Sequence, residues 1–107
     1  MARYYAAKVD ANQAEIVDAL RKAGATVQPL HRVGSGCPDL LVGYRGANLL
    51  MEVKDGSLSP SEQKLRGSQV AWFEAWRGQA CRVTSVENAL SVLFDAPTQI
   101  PLRGIIT

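Results

Sequence analysis

Cysteine and histidine are scarce in this chain, and each scarcity removes a class of protein. Two cysteines, Cys37 and Cys81, among 107 residues fit neither a zinc-ligand spacing nor a disulfide framework. The fold must therefore rest on a hydrophobic core, and both thiols are expected to be reduced in a cytoplasmic setting. A single histidine, His31, rules out a cluster of imidazole ligands. No apolar run approaches the ~20 residues of a membrane span, and no leading stretch resembles a signal peptide. Charge of one sign is also lacking, with 12 Lys and Arg against 10 Asp and Glu and a formal net charge of +2. With 47% hydrophobic and 21% charged residues, the composition is that of one globular domain over residues 1–107. Its core is expected over about 10–95, followed by an irregular tail that holds Pro97 and Pro101. No repeat, low-complexity tract or linker suggests a second domain.

The densest information lies between Asp39 and Lys54. Two apolar runs, Leu40 to Val42 and Leu49 to Met51, flank Tyr44-Arg45-Gly46-Ala47, where a glycine can supply the positive φ of a tight turn. A two- or four-residue loop centred between Arg45 and Gly46 pairs Val42 with Leu49, Leu41 with Leu50, Leu40 with Met51, and so Asp39 with Glu52. Directly opposed residues have Cβ atoms about 4.5 to 5.5 Å apart on one face, close enough for two carboxylates to grip a hard cation. Lys54, two residues on, points to that face as well. Two alternatives stay open: the acids could simply mark where buried strands emerge into water, and an odd-length loop would slip the register and part them.

Around this hairpin the periodicities predict further elements. Asp10 with Gln13 resembles a capping pair, and Ile16, Val17, Leu20 and Ala23 form a stripe that predicts a helix over about 11–23, stopped by Gly24. Residues 25–30 read as an edge strand because of Pro29, and residues 31–38 as a loop. The hairpin strands, at about 39–44 and 48–54, are apolar enough to be central and covered on both faces. The Ser-rich stretch 55–64 reads as a loop, although Ser59-Pro60-Ser61-Glu62 also has the form of a helix start. A second helix is expected over about 66–77, with Trp72, Phe73 and Trp76 as core or dimer contact. A fourth strand follows at 80–84, then a third helix capped by Ser85.

Gly36-Cys37-Pro38-Asp39-Leu40-Leu41-Val42-Gly43, then Glu52-Val53-Lys54-Asp55-Gly56, then Gln69 in a following helix, resembles the PD-(D/E)XK nuclease superfamily. More narrowly it is similar to the small stand-alone VRR-NUC domains of phages and bacteria, from the first helix to about Leu90. The resemblance implies an α/β, restriction-endonuclease-like fold with an αβββαβ core, a mixed sheet flanked by helices. It also implies a metal-dependent DNA endonuclease of the bacterial or phage-infected cytoplasm, dimeric and acting on branched DNA such as four-way (Holliday) junctions. Asp39 and Glu52 would bind Mg2+ or Mn2+, with the backbone carbonyl of Val53 as a third ligand. Glu15, on the first helix, would complete the site directly or through water. Lys54 would orient the attacking water and stabilise charge on the phosphorane, and Gln69 would hold that water or a phosphate oxygen.

Other residues carry weaker signals. Arg32 and Ser35, in a loop with two glycines, are candidate phosphate contacts. Arg21, Lys22, Arg45, Lys64 and Arg66 are candidate backbone contacts that the sequence does not rank. Metal binding by the three carboxylates would leave the remainder more basic than +2, which suits a polyanion. A thiol–histidine hydrolase built on Cys37 and His31 has no third group to orient it. The rival from another class is a non-catalytic DNA-binding or assembly module that keeps the nuclease fold.

Overall fold

The structure, a computed structural model, describes residues 9–96; the expected tail beyond Ala96 lies outside them. Helix α1 spans Gln13–Lys22 and buries Gln13, Ile16 and Leu20, positions spaced three and four apart on one face. Asp10 does not cap it, contrary to expectation. The residue at the helix start is Asn12, whose amide is turned away to donate to the carbonyls of Lys54 (3.2 Å) and Thr84 (3.1 Å). The other end closes as the sequence requires: Gly24 adopts φ 103°, and the N–H groups of Gly24 and Ala25 return to the carbonyls of Arg21 and Leu20.

Four strands form one mixed sheet in the order β1 (Thr26–Pro29), β2 (Leu40–Tyr44), β3 (Ala47–Val53), β4 (Ala80–Val83). The expected hairpin register is met, with Leu40 opposite Met51, Leu41 opposite Leu50 and Val42 opposite Leu49. A two-residue loop sets it, for Arg45 and Gly46 both take positive φ, 52° and 81°, as a tight hairpin turn demands. β1 pairs antiparallel with β2 and forms the edge, which accommodates Pro29. β3 and β4 run parallel. Such a pair needs a long crossover, supplied by residues 54–79.

Alternation along the strands divides the sheet into two faces. Leu40, Val42, Leu49, Met51, Val53 and Val83 form one core with Ile16 and Leu20 of α1 and with Ala89 and Leu93 of helix α3 (Val86–Asp95). Burying each larger side chain there contributes about 1.5 to 3 kcal/mol. Ser85 caps α3 as expected, accepting the N–H of Asn88 at 3.0 Å. The opposite face carries Leu41, Leu50, Glu52 and Lys54. It is covered only in part, since Leu41 and Asn48 are exposed, so the expectation of strands buried on both faces holds only near the carboxyl end of β3.

The crossover supplies that local cover. Residues Pro60–Gln63 form a short 3-10 helix instead of open loop, as their Ser-Pro-Ser-Glu pattern allowed; the Ser59 N–H returns to Glu62 Oε1 at 3.4 Å. Helix α2 then spans Gly67–Ala75, ending earlier than expected because Trp76 is already extended. None of its residues is buried. Trp72 stacks on Trp76 with ring centroids 4.6 Å apart and Phe73 meets Trp72 edge-on, so the aromatic stripe lies outside the core. Trp76 remains 46% exposed.

Candidate active site

Asp39 immediately precedes β2 and Glu52 lies near the end of β3, so the hairpin register carries both to the partly covered face. Asp39 Oδ2 accepts the Val53 N–H at 2.8 Å, which pins that carboxylate to the neighbouring strand. Glu52 is 3% exposed and Lys54 6% exposed, unusual burial for such side chains, and Lys54 Nζ stands 3.7 Å from Glu52 Oε2. Gln69, on the first turn of α2, joins them. Its Nε2 donates to Glu52 Oε2 at 2.9 Å, while its Oε1 accepts from Lys54 Nζ at 2.9 Å and from the Arg66 N–H at 2.8 Å. One amide thus caps its own helix and fixes that helix to the acidic pair. The sheet explains the gathering: Asp39, Glu52 and Lys54 share a face by alternation, and the crossover brings Gln69 over it.

Burial pushes the Glu52 carboxyl up to about 8, helped by the nearby charge of Asp39 and offset in part by the Lys54 ammonium. Asp39 is raised too, chiefly by burial, against the opposing pull of the Val53 N–H. Ionising both carboxylates is therefore unfavourable near neutral pH without a further cation beside Lys54. Glu52 Oε1 is buried without a hydrogen-bond partner, in a residue that lines a cavity of about 300 Å3. Among the described residues, no group of three or more His, Cys, Asp or Glu side chains is placed to enclose a metal ion. The donor set is therefore two hard oxygen ligands with open positions, which fits a magnesium-type cation that keeps several waters.

Comparison with known proteins bears on this arrangement. No family profile and no curated protein matches the chain. A solved structure described as a VRR_NUC domain superposes with a TM-score of 0.60 at 26% identity, covering 79% of this chain and 92% of that one. The chain folds as a VRR-NUC domain. The likeness supports a nuclease-domain family, and the mixed four-stranded sheet flanked by helices is consistent with a restriction-endonuclease-like fold.

The cavity of this VRR-NUC domain gathers Asp39, Glu52, Lys54 and Gln69, but not every residue singled out from the sequence. Glu15 lines a separate cavity with Asn12, Asp55 and Thr84. Packing is the reason: Gln13, Ile16 and Leu20 turn α1's inner face to the helix-covered side of the sheet, and Glu15 projects elsewhere, exposed. Asp10, before the helix, lines the acidic cavity and adds its negative charge to the influences on Asp39 and Glu52. Gln13, expected only as a capping partner of Asp10, is a buried residue of α1. It is 6% exposed with an unpartnered Oε1, and its place three residues before Ile16 and seven before Leu20 was the available signal.

The loop before β2 divides in the same way. His31, Gly34, Gly36 and Cys37 line the VRR-NUC cavity, whereas Arg32 and Ser35 are exposed outside it. Gly36 seats the loop on α2: with φ 80°, an ideal Cβ there would lie 2.2 Å from the Ser68 carbonyl oxygen. The Cys37 thiol is pushed up by burial and then by the charges of Glu52 and Asp39, which opposes thiolate nucleophilicity. No helix among the described residues is long and apolar enough to cross a membrane.

Proposed function

We propose that this VRR-NUC domain is a Mg2+- or Mn2+-dependent DNA endonuclease selective for branched DNA such as four-way junctions. The observation that carries the reading is the half-buried Asp39 with the buried Glu52 beside Lys54, an acceptor oxygen of Glu52 being left unpartnered. Asp39 and Glu52 would hold the ion, the Val53 carbonyl would add a ligand, and Glu15, in the neighbouring cavity, would take part only through intervening water. When bound by these residues, such an ion would supply polarisation of the scissile phosphate and a lowered pKa for a water. Lys54, buried and tethered by Gln69, orients that water and offsets negative charge on the pentacoordinate phosphorus. Gln69 holds Lys54 and Glu52 in fixed relation and offers its remaining amide hydrogen to the water or a phosphate oxygen. The water oxygen bonds to phosphorus, the bond to O3′ breaks, and the products are a 3′-hydroxyl and a 5′-phosphate. A homodimer would present two such sites to the two strands of a symmetric junction. The half-exposed aromatic stripe of α2 is available as its contact.

The test is incubation of the full chain with labelled four-way junction, fork, flap, single-stranded and linear duplex DNA, in Mg2+, Mn2+ or EDTA, beside Glu52→Ala and Lys54→Ala. Cation-dependent cutting of a branched substrate, lost in both variants while they still bind DNA, is expected. Absence of cutting on every substrate, with DNA binding independent of cations, would leave a binding module. Near-normal turnover by Lys54→Ala would remove that residue from the mechanism.

A further inference from the structure

The cavity that Asp39, Glu52 and Asp10 line is lined as well by His31 and Arg66. Besides Lys54, these are the basic side chains that line it, whereas Arg32 and Arg45 do not. The backbone at or next to each is tied to the site. The Arg66 N–H donates to Gln69 Oε1, and the other end of that amide is on Glu52. His31 follows Leu30, whose N–H donates to the Asp39 carbonyl at 2.7 Å. The two segments also meet, since Gly36 packs against the Ser68 backbone and makes loop and helix start one rim.

Neither basic side chain is consumed locally. The ion pairs among the described residues are Asp18 with Lys22 and Glu52 with Lys54. Glu62 also lines the cavity, but its Oε1 is occupied by the Ser59 N–H and hydroxyl. A guanidinium and an imidazole lining the same space of about 300 Å3 as a carboxylate pair suit a ligand that carries negative charge yet must reach a cation-binding pair. A phosphodiester held to a metal by one oxygen and to the protein by another meets both conditions.

We propose that Arg66 and His31 form a subsite that grips the backbone phosphate beside the bond to be cut, acting as positioning residues. The proposal rests on the nuclease reading for the identity of its ligand as a nucleic-acid phosphate. Binding of fluorescent junction DNA is measured by anisotropy in EDTA, over a series of salt concentrations, for wild type, Arg66→Ala, Arg66→Lys, His31→Ala and Arg45→Ala. Thermal melting of each variant establishes that it is folded.

Arg66→Ala is expected to weaken binding about tenfold and to reduce the slope of log affinity against log salt by about one, as loss of one phosphate contact does. Arg66→Lys restores part of the affinity and the full slope, and His31→Ala weakens binding by a smaller factor. Arg45→Ala, at the far end of the hairpin and outside the cavity, loses less affinity than Arg66→Ala. Cleavage is scored separately: a wild type that binds with this pattern but cuts nothing would sink the nuclease reading and leave the phosphate subsite standing. Unchanged affinity and slope in folded Arg66→Ala, or no DNA binding by wild type, would overturn the proposal.

Discussion

Replacing Glu52 by glutamine tests whether the acidic pair is held in repulsion. The folded carboxyl titrates near 8, against an ordinary 4.5. A raised acid binds an extra proton in the folded state between those values, so metal-free stability is full at low pH and falls as pH rises through the window. The ceiling is about 1.4 kcal/mol per pH unit, or about 5 kcal/mol in all, and relaxation with water entry at an open cavity reduces it to about 2 to 3 kcal/mol. Glu52→Gln keeps the shape and can still accept the Gln69 N–H, losing only the charge and its attraction to Lys54. Urea unfolding followed by the fluorescence of Trp72 and Trp76 at pH 5, 7 and 9 in EDTA gives the comparison. Wild type should lose about 2 to 3 kcal/mol relative to Glu52→Gln between pH 5 and 9. Added Mg2+ should restore wild type at pH 9 and leave the variant unmoved. Parallel stability curves across this range would refute the argument that burial and Asp39 hold Glu52 protonated.

Two further outcomes follow from the packing around the site. Gly36→Ala should destabilise the protein by about 2 to 4 kcal/mol, because a Cβ meets the Ser68 carbonyl and the positive φ is disfavoured; a change below 0.5 kcal/mol in urea unfolding would show that the loop is not seated on α2. Ser85→Ala should cost about 1 kcal/mol through loss of the Asn88 N–H acceptor at the start of α3, read as a lowered urea midpoint with an unchanged slope.

Strand alternation has a period of two residues, and the Arg45-Gly46 turn admits one register, so residue order alone brings Asp39, Glu52 and Lys54 to one face. The stop at Gly24 and the Ser85 cap were legible for a similar reason, each depending on residues a few positions apart. Helix rotation and loop seating are different. Which side of α1 faces the sheet is decided by Ile16 and Leu20 packing against strands far away in sequence, and this sends Glu15 to a neighbouring cavity while Asp10 reaches the site. The aromatic stripe of α2 has core-like composition, yet the helix is held over the site by Gln69 and the crossover, so Trp76 stays largely in solvent. Arg66 was not ranked above other surface charges by the sequence, and only the fold places it with His31 in the cavity of the carboxylates. Sequence by itself determined the local geometry of the hairpin and helix ends, because those forces act over a few residues. Tertiary structure alone decided which distant side chains share the cavity, because that depends on how helices and loops pack once the core is buried.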